Sequence, residues 1–218
     1  ALHPYLTLGQ IKSALMLTAL SAVVTKEDVV PPANPFDFGS GRVDLTKAGS
    51  TGLTMDETAA NYFLLQDELW NANYPSLYHP NLSGSITVER TVHNETNKQR
   101  TWKLSVLGAG DLIISLPNFV KVPANGDATF AITVDARNVP FGEVRHAVIE
   151  LKQANNLLHF PVTIVPGEDE VTVTKSCDPT SISIQDNTDC TITITNNATQ
   201  TATVSLVDQM PQPLTLVN

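Results

Sequence analysis

Long hydrophobic runs, positive charge and aromatic residues are all scarce in this 218-residue chain. The longest apolar stretch, residues 14–24, falls short of the ~18 residues that a membrane-spanning helix needs, so no membrane span is predicted. Thirteen Lys and Arg against 22 Asp and Glu give a net charge of −9, which disfavours nucleic acid as a partner because phosphates require a basic face. Aromatic residues make up only 6%, too few to suggest a carbohydrate-binding module, and Trp70 and Trp102 are predicted to anchor a core.

Cysteine is nearly absent as well. Cys177 and Cys190 are the only two, and both lie in a stretch rich in Thr and Ser. The pair predicts a disulfide in an exported protein, and the alternative is two buried thiols in a cytosolic protein. A disulfide here would close a loop of ~14 residues, worth roughly 3 kcal/mol in the chain-entropy model.

Motifs for catalysis, cofactors and metals are also missing. Residues 39–41 read Gly-Ser-Gly but lack the further residues of a phosphate-binding or dinucleotide-binding loop. Neither a nucleophile elbow nor a Ser-His-Asp set is recognisable. The histidines do not pair at metal-ligand spacing, and structural or surface roles are predicted for those in strand patterns; they are His3, His79, His93, His146 and His159. We therefore predict no catalytic, cofactor-binding or metal-binding residue in this chain.

Asparagine is common enough to form three Asn-x-Ser/Thr triplets, which begin at Asn81, Asn94 and Asn197. Such triplets are acceptors of N-linked glycans in eukaryotic secretory proteins. They also arise by chance in sequences rich in Asn and Thr, so both interpretations stay open.

Residues 1–70 show helix and loop patterns. Thr7 and Gln10 have the spacing of a capping box, and the helix that they begin is predicted to end near Val24. Its apolar stripe, which needs a partner surface, consists of Leu8, Ile11, Leu15 and Ala22, with Ala14 and Ala19 beside it. The remaining predicted elements are a proline-rich loop at 30–35, an extended segment at 36–43, a helical turn at 45–49 and a helix at 56–70.

Residues 71–166 alternate between apolar and polar side chains with the period of a β-strand. About seven short strands separated by turn signals predict an immunoglobulin-like or fibronectin-III-like β-sandwich. A polar, acidic linker follows at 166–170. Residues 167–218 hold only four or five further strand-like runs, which predicts a second, truncated β-sandwich with an open edge and low stability.

Four segments resemble, in matching order, parts of the subtilisin-like serine proteases. They are Ile11-Lys12-Ser13-Ala14-Leu15-Met16, the segment from Asn34 to Asp44, Asn73-Tyr74-Pro75-Ser76-Leu77, and Val88-Glu89-Arg90-Thr91-Val92-His93-Asn94. In that family they correspond to a helix after the catalytic serine, the segment that closes the protease domain, the entry to a fibronectin-III-like domain, and a strand of that domain. Residues 194–196 and 208–211 resemble, more weakly, repeat domains of secreted bacterial proteins.

The resemblance implies a mainly β chain in three parts. Residues 1–70 would be the helical and loop end of an α/β protease domain, 71–166 the fibronectin-III-like sandwich, and 167–218 a partial immunoglobulin-like domain. The family's motifs for the catalytic Asp, His and Ser have no match here, so no catalytic residue carries over and the chain itself is expected to be inactive.

The function implied is that of a non-catalytic C-terminal region of a secreted, extracellular and bacterial subtilisin-like endopeptidase. Its partners would be the upstream protease domain of the same polypeptide and the protein substrates of the parent, with no cofactor. Both ends of the chain suggest a piece of a larger protein. The alternative hypothesis is a non-enzymatic β-sandwich module for cell-surface adhesion, which is distinguished by the sequence that precedes Ala1.

Overall fold

A computed structural model describes residues 4–21, 25–26, 33–167, 171–183, 186–196 and 203–208. The chain divides into two compact units, residues 1–168 and 169–218, and it is mainly β, as the sequence predicts. The division into three domains stays a prediction. Within the described residues, no helix has the length and apolarity required to cross a bilayer.

Short helices dominate the first part of unit one. The elements are α1 (Leu8–Leu17), α2 (Pro35–Phe38), α3 (Leu45–Ala48), the two-residue strand β1 (Leu53–Thr54), α4 (Ala59–Leu64) and a 3-10 helix (Leu69–Asn71). The helical turn predicted at 45–49 is thus confirmed by α3.

Helix α1 begins with the predicted capping box but ends earlier than predicted. The Thr7 side chain accepts from the Gln10 backbone N–H, and the Gln10 side chain accepts from the Thr7 backbone N–H. The end predicted near Val24 is wrong, because the helix stops at Leu17. Leu20 then exchanges two backbone hydrogen bonds with Arg42, and this pairing with a distant segment outweighs local helix propensity.

Gly41 permits that pairing. Its φ is +117°, and a Cβ atom on it would lie 2.6 Å from the backbone carbon of Leu20. Only glycine combines this backbone conformation with such a close approach. The Gly-Ser-Gly sequence at 39–41 therefore allows the segment at Arg42 to pair closely with Leu20, rather than forming a phosphate-binding loop.

Two other predictions for this part are wrong. The segment predicted as extended at 36–43 begins inside α2, because the Asn34 side chain accepts from Phe36 N–H (2.9 Å) and Pro35 occupies the first turn. The helix predicted at 56–70 is broken into α4 and the 3-10 helix. Thr58 caps α4 by accepting from Asn61 N–H at 3.1 Å, so the helix starts later than its apolar pattern suggests.

The β-sandwich of unit one consists of two sheets. Its remaining strands are β2 (Leu77–Leu82), β3 (Ser85–Asn94), β4 (Arg100–Leu107), β5 (Ile113–Ser115), β6 (Phe119–Val122), β7 (Asp127–Asp135), β8 (Arg145–Gln153) and β9 (Asn156–Pro166). One sheet has the order β1-β3-β7-β5, and the other has the order β2-β9-β8-β4-β6. Strands β2 and β9 are parallel, whereas the other described pairs are antiparallel.

The core lies between the two sheets and is built from the inward-facing residues of each strand. Trp102 is 1% exposed and is confirmed as a core anchor, whereas Trp70 packs against the core from its rim. Inward-facing members of one sheet include Val88, Val92, Phe130, Ile132 and Val134, and those of the other include Leu104, Ile149, Leu151, Phe160 and Val162. This alternation is the one that the sequence predicts for β3, β4, β7 and β9. In β8 the sequence pattern assigns the apolar face to Val144, His146 and Val148, but the structure buries the opposite face, Ala147, Ile149 and Leu151.

Unit two, where it is described, contains the antiparallel pair β10 (Val171–Asp178) and β11 (Asp189–Asn196). The predicted disulfide is present, and it joins Cys177 to Cys190 at directly opposite positions of the two strands. The strand predicted around Val204 and Leu206 is wrong, because these residues have irregular structure. Ile182 is also outside a strand, while the strand predicted at 214–216 lies outside the described residues.

Reduction of this disulfide is expected to destabilise unit two. An isolated two-stranded sheet is marginally stable, and loss of the cross-link should remove roughly 3 kcal/mol in the chain-entropy model. Hydrogen exchange measured with and without reductant should show faster exchange at the β10 and β11 amides after reduction. The β3 and β7 amides serve as the internal control and should not change. Equal exchange at β10 and β11 in both states would contradict the prediction.

Candidate functional site

The most highly organised polar region of unit one is the junction between its helical segment and the sandwich, with Arg90 at its centre. Arg90 lies on β3 and is 0% exposed. Its Nε donates to Tyr74 O (3.1 Å), and its Nη2 donates to Trp70 O (2.8 Å) and Ser76 O (3.2 Å). Its Nη1 donates to Glu89 O at 2.9 Å. A single guanidinium therefore ties residues 70–76 to the sandwich.

Arg90 stays positively charged although it is buried. Removal from water lowers its pKa to about 10, and the negative charge of Glu57 opposes the shift. Because that pKa is well above 7, the group stays a cation at neutral pH. A buried cation needs a full set of hydrogen-bond acceptors, and four backbone carbonyls supply them here.

Asn73 also fixes the connection at residues 70–76 to the sandwich. Its Nδ2 donates to Asp56 O (3.0 Å) and Thr91 O (2.9 Å), and its Oδ1 accepts from Thr91 N–H (2.8 Å). The Asn73 backbone N–H donates to Glu57 Oε2 at 2.7 Å. Strand β1 pairs with β3 only as far as His93. At Thr91 the Asn73 side chain therefore forms the two backbone hydrogen bonds that a neighbouring strand would otherwise form.

Helix α1 and strand β1 join the sandwich through a second set of contacts. Glu95 Oε1 accepts from Gln10 Nε2 at 3.3 Å and also from Thr54 Oγ1. Ser13, buried on α1, accepts from Met55 N–H at 2.8 Å. These bonds pass between segments far apart in sequence, so the helical segment and the sandwich form one body within unit one.

A small cavity lies at this junction, with Lys12, Glu57, Tyr62, Asn73 and Tyr74 among its walls. Its volume is about 30 Å³, enough for a few water molecules. The Lys12 ammonium lies 4.5 Å from the centre of the Tyr74 ring, a cation–π distance. The contacts around the cavity hold the helical segment and the connection at residues 70–76 together.

The turn after β3 is organised by Asn94, which is 0% exposed. Its Nδ2 donates to Lys98 O (2.9 Å), Val122 O (3.3 Å) and Pro123 O (2.8 Å). Its Oδ1 accepts from both the N–H (3.0 Å) and the hydroxyl (2.8 Å) of Thr96. Every hydrogen-bonding atom of this carboxamide is therefore engaged, which fixes the turn that follows β3.

Three described histidines serve as packing groups. His146 Nδ1 lies 2.9 Å from Thr163 Oγ1, and its ring meets the Phe36 ring edge-on with centres 5.3 Å apart. His159 Nε2 donates to Ser40 O at 3.1 Å. The His79 and Trp70 rings have centres 4.0 Å apart. Burial lowers the pKa of all three imidazoles. His3 lies outside the described residues.

One histidine has a carboxylate partner, as catalytic histidines often do. His93 Nδ1 lies 2.7 Å from Asp127 Oδ1 on the neighbouring strand. Among the described hydrogen bonds, none joins the other ring nitrogen of His93 to a serine, threonine or cysteine. The described residues also contain no cluster of three or more His, Cys, Asp or Glu able to hold a metal ion. Within the described residues, the pair is therefore a cross-strand contact between β3 and β7.

Sequence reasoning did not single out Arg90, although a signal was available. Arg90 stands between Val88 and Val92 in the alternating pattern of β3, at an inward-facing position. A charged residue on the apolar side of a predicted strand indicates a buried, paired group. The pattern could have identified the burial of Arg90 but not the carbonyls that surround it, because three of the four belong to residues 70–76.

Replacement of Arg90 by Met is expected to lower the free energy of unfolding of unit one by about 3 kcal/mol or more, because several buried carbonyls would lose their donor. Arg90→Lys should fall between wild type and Arg90→Met, since one ammonium cannot span the same acceptors. Urea denaturation measures both. Arg137→Met, at an exposed arginine paired locally with Asp135, is the matched control and should be nearly neutral. Equal effects of Arg90→Met and Arg137→Met would contradict the assignment.

Acid is expected to weaken unit one before its carboxylates titrate. Because the folded-state pKa values of His79, His146 and His159 are lowered, their contribution is complete above the unfolded pKa of about 6.5 and is lost as pH falls through the folded values. The hydrogen bond from Arg145 lowers the pKa of the Asp111 carboxyl, so the contribution of Asp111 is lost only in a more acidic range.

Unfolding free energies measured from about pH 8 to about pH 5 should therefore decrease below about pH 6.5. His159→Gln keeps a donor for Ser40 O but does not titrate, and it should reduce the slope. A flat profile for the wild-type chain over this range would show that the burial of these rings is not maintained in solution.

Comparison with known proteins gives a relationship for part of the chain. No protein-family model matches it. It is similar to the subtilisin-like protease SBT5.6 of Arabidopsis thaliana, with 33% identity over 145 residues, covering 55% of this chain and 18% of that protein. SBT5.5 of the same plant is 37% identical over 117 residues, covering 42% and 14%, and SBT3.2 is 28% identical over 172 residues, covering 76% and 21%.

Solved structures overlap only slightly with this chain. The cupredoxin domain of amoB from Nitrosocaldus yellowstonii overlaps at a TM-score of 0.31 and 15% identity, covering 39% of this chain and 57% of that one. A family 123 glycoside hydrolase from Clostridium perfringens overlaps at 0.38 and 10% identity, covering 55% and 28%. Because both TM-scores are below 0.5, no function or fold family is inferred for this chain from these two proteins.

The chain thus spans about a fifth or less of the length of these three curated relatives. The expected bacterial source has no support among them, since all three are plant proteins. The fibronectin-III-like and bacterial-repeat assignments stay predictions. A region of this chain is related in sequence to plant subtilisin-like proteases.

Proposed function

We propose that this chain is a non-catalytic C-terminal region of an exported subtilisin-like serine endopeptidase, in which it supports the protease domain and helps to position protein substrates. The sequence relationship supports the link to such a protease. The absence of the family's catalytic motifs from the sequence supports a role without catalysis. The disulfide supports export, because disulfides persist in oxidising compartments.

The observation that carries the proposal is the uneven distribution of exposed apolar side chains. Nine large apolar residues are exposed among the described residues of 4–70, against six in the longer stretch 71–167. A surface enriched in exposed apolar side chains is suited to contact with another protein surface. The nine are Tyr5, Leu8, Ile11, Phe36, Val43, Leu45, Phe63, Leu64 and Leu69.

Helix α1 has two apolar sides. Ala14 and Leu17 are buried in the structure, with Ser13 beside them bonded to Met55. Leu8 and Ile11, from the stripe predicted to need a partner, are instead exposed, Leu8 at 86%. One side of the helix therefore packs against the sandwich, and the other is left for a second surface, which we assign to the protease domain of the parent.

Leu8→Glu tests this assignment because it separates folding of the chain from its docking. The isolated chain should keep its melting temperature, since position 8 is exposed and a carboxylate in the first turn suits the helix dipole. In the parent protease the same substitution would bury an unpaired charge. We expect a several-fold loss of secreted activity on casein, measured for the parent with and without the substitution.

Phe119→Glu is the matched control, because Phe119 is an exposed apolar residue of the sandwich, on β6. It should leave the activity of the parent unchanged. If the parent tolerates Leu8→Glu as well as it tolerates Phe119→Glu, the outer side of α1 does not face the protease domain. The supporting role would then be abandoned.

A further inference from the structure

The two Asn-x-Ser/Thr triplets among the described residues have opposite environments, with Asn81 exposed and Asn94 fully buried. We propose that Asn81 is a site of N-glycosylation, which accepts an oligosaccharide on its side-chain amide, and that Asn94 carries no glycan in the folded chain. The inference rests on the export that the proposed function includes.

Asn81 lies at an irregular point on a sheet edge. It belongs to β2, one of the two edge strands of the five-stranded sheet, and the pairing of β2 with β9 shifts register between His79 and Leu82. The Asn81 backbone N–H donates to His79 Nδ1 at 3.3 Å, but none of the described hydrogen bonds engages its side-chain amide. Leu82 is buried beside it, so the strand holds Asn81 at the surface.

The Asn81 carboxamide lies close against Gly167, which directly follows β9. A Cβ atom on Gly167 would lie 2.2 Å from Asn81 Oδ1, so only a glycine accommodates the carboxamide as it stands. Gly167 N–H donates to Leu82 O at 2.9 Å, which holds the two segments at this spacing. The acceptor side chain thus lies at the protein surface, and within the described residues no hydrogen bond engages its amide.

Asn94 is unsuited to carry a glycan for two reasons. Its side chain has no exposed surface, so an attached sugar would have to displace the turn at 94–99 and the start of the segment after β6. Its Nδ2 already donates to three carbonyls, and glycosylation replaces one of the two amide hydrogens. The hydroxyl of Thr96, the third residue of the triplet, is itself bonded to Asn94.

The reaction is a glycosyl transfer from a lipid-pyrophosphate-linked oligosaccharide. Nδ2 of Asn81 forms a bond to the anomeric carbon of the first sugar. The bond from that carbon to the pyrophosphate oxygen breaks, and the lipid pyrophosphate leaves with the bonding electron pair. The amide nitrogen loses one proton, so no oxidant or reductant is required.

The test is site mapping on the full chain, secreted from a plant or yeast cell behind an added secretion signal. Treatment with a peptide-N-glycanase in heavy-oxygen water converts each glycan-bearing Asn to a labelled Asp, which peptide mass spectrometry reads site by site. Label at Asn81 and none at Asn94 is the expected result. The folded state of the sample is checked by hydrogen-exchange protection of β3 and β7.

Two serine variants complete the test. Ser83→Ala removes the triplet while keeping Asn81, and should abolish the label at Asn81 and the corresponding shift on a gel. Ser85→Ala changes a serine two positions further on, outside any triplet, and should preserve both. A folded, secreted chain without label at Asn81, or with label at Asn94, would overturn the proposal. Because the secretion signal is added, this outcome is independent of the Leu8→Glu test of the proposed function.

Discussion

The buried guanidinium of Arg90 is the constraint on which the arrangement of unit one depends. A cation removed from water is costly unless its donors are all matched, and here the matching acceptors are backbone carbonyls of residues 70, 74 and 76 together with residue 89. Any displacement of the 70–76 connection would leave both a charge and several carbonyls unpaired. The connection is therefore held in one position, and the helical segment before it acquires a defined place on the sandwich.

The other polar contacts at the junction follow the same logic. Asn73 and Asn94 direct their carboxamides at backbone groups, and Glu95 joins Gln10 to Thr54. Backbone-directed bonds of this kind specify geometry, while the apolar core between the sheets supplies most of the driving force. The result is a sandwich that holds α1 in a defined place and leaves its outer side, with Leu8 and Ile11, exposed. A supporting domain of a larger enzyme would need such an arrangement.

Local signals in the sequence predicted the elements that depend on local physics. The alternation in β3, β4, β7, β8 and β9 identified strands correctly, because a half-buried sheet imposes a period of two. The capping box of Thr7 and Gln10 identified the start of α1. The end of α1, the short helix α2 and the break after α4 were missed. The pairing of Leu20 with Arg42 follows the end of α1, and the Asn34 side chain caps the start of α2. Neither contact can be seen in a pattern of apolar residues.

Composition and patterning by themselves indicated that the chain is mainly β and that Trp102 is a core residue, and they favoured a disulfide between Cys177 and Cys190 over two buried thiols, because each follows from residue types and spacing. Tertiary structure alone decided which side of α1 is covered, which carbonyls surround Arg90, and which asparagine triplet remains exposed. Asn81 and Asn94 have the same short motif, yet the turn after β3 folds over Asn94 while the edge strand β2 leaves Asn81 at the surface. That difference depends on contacts between distant segments, which a local sequence motif does not encode.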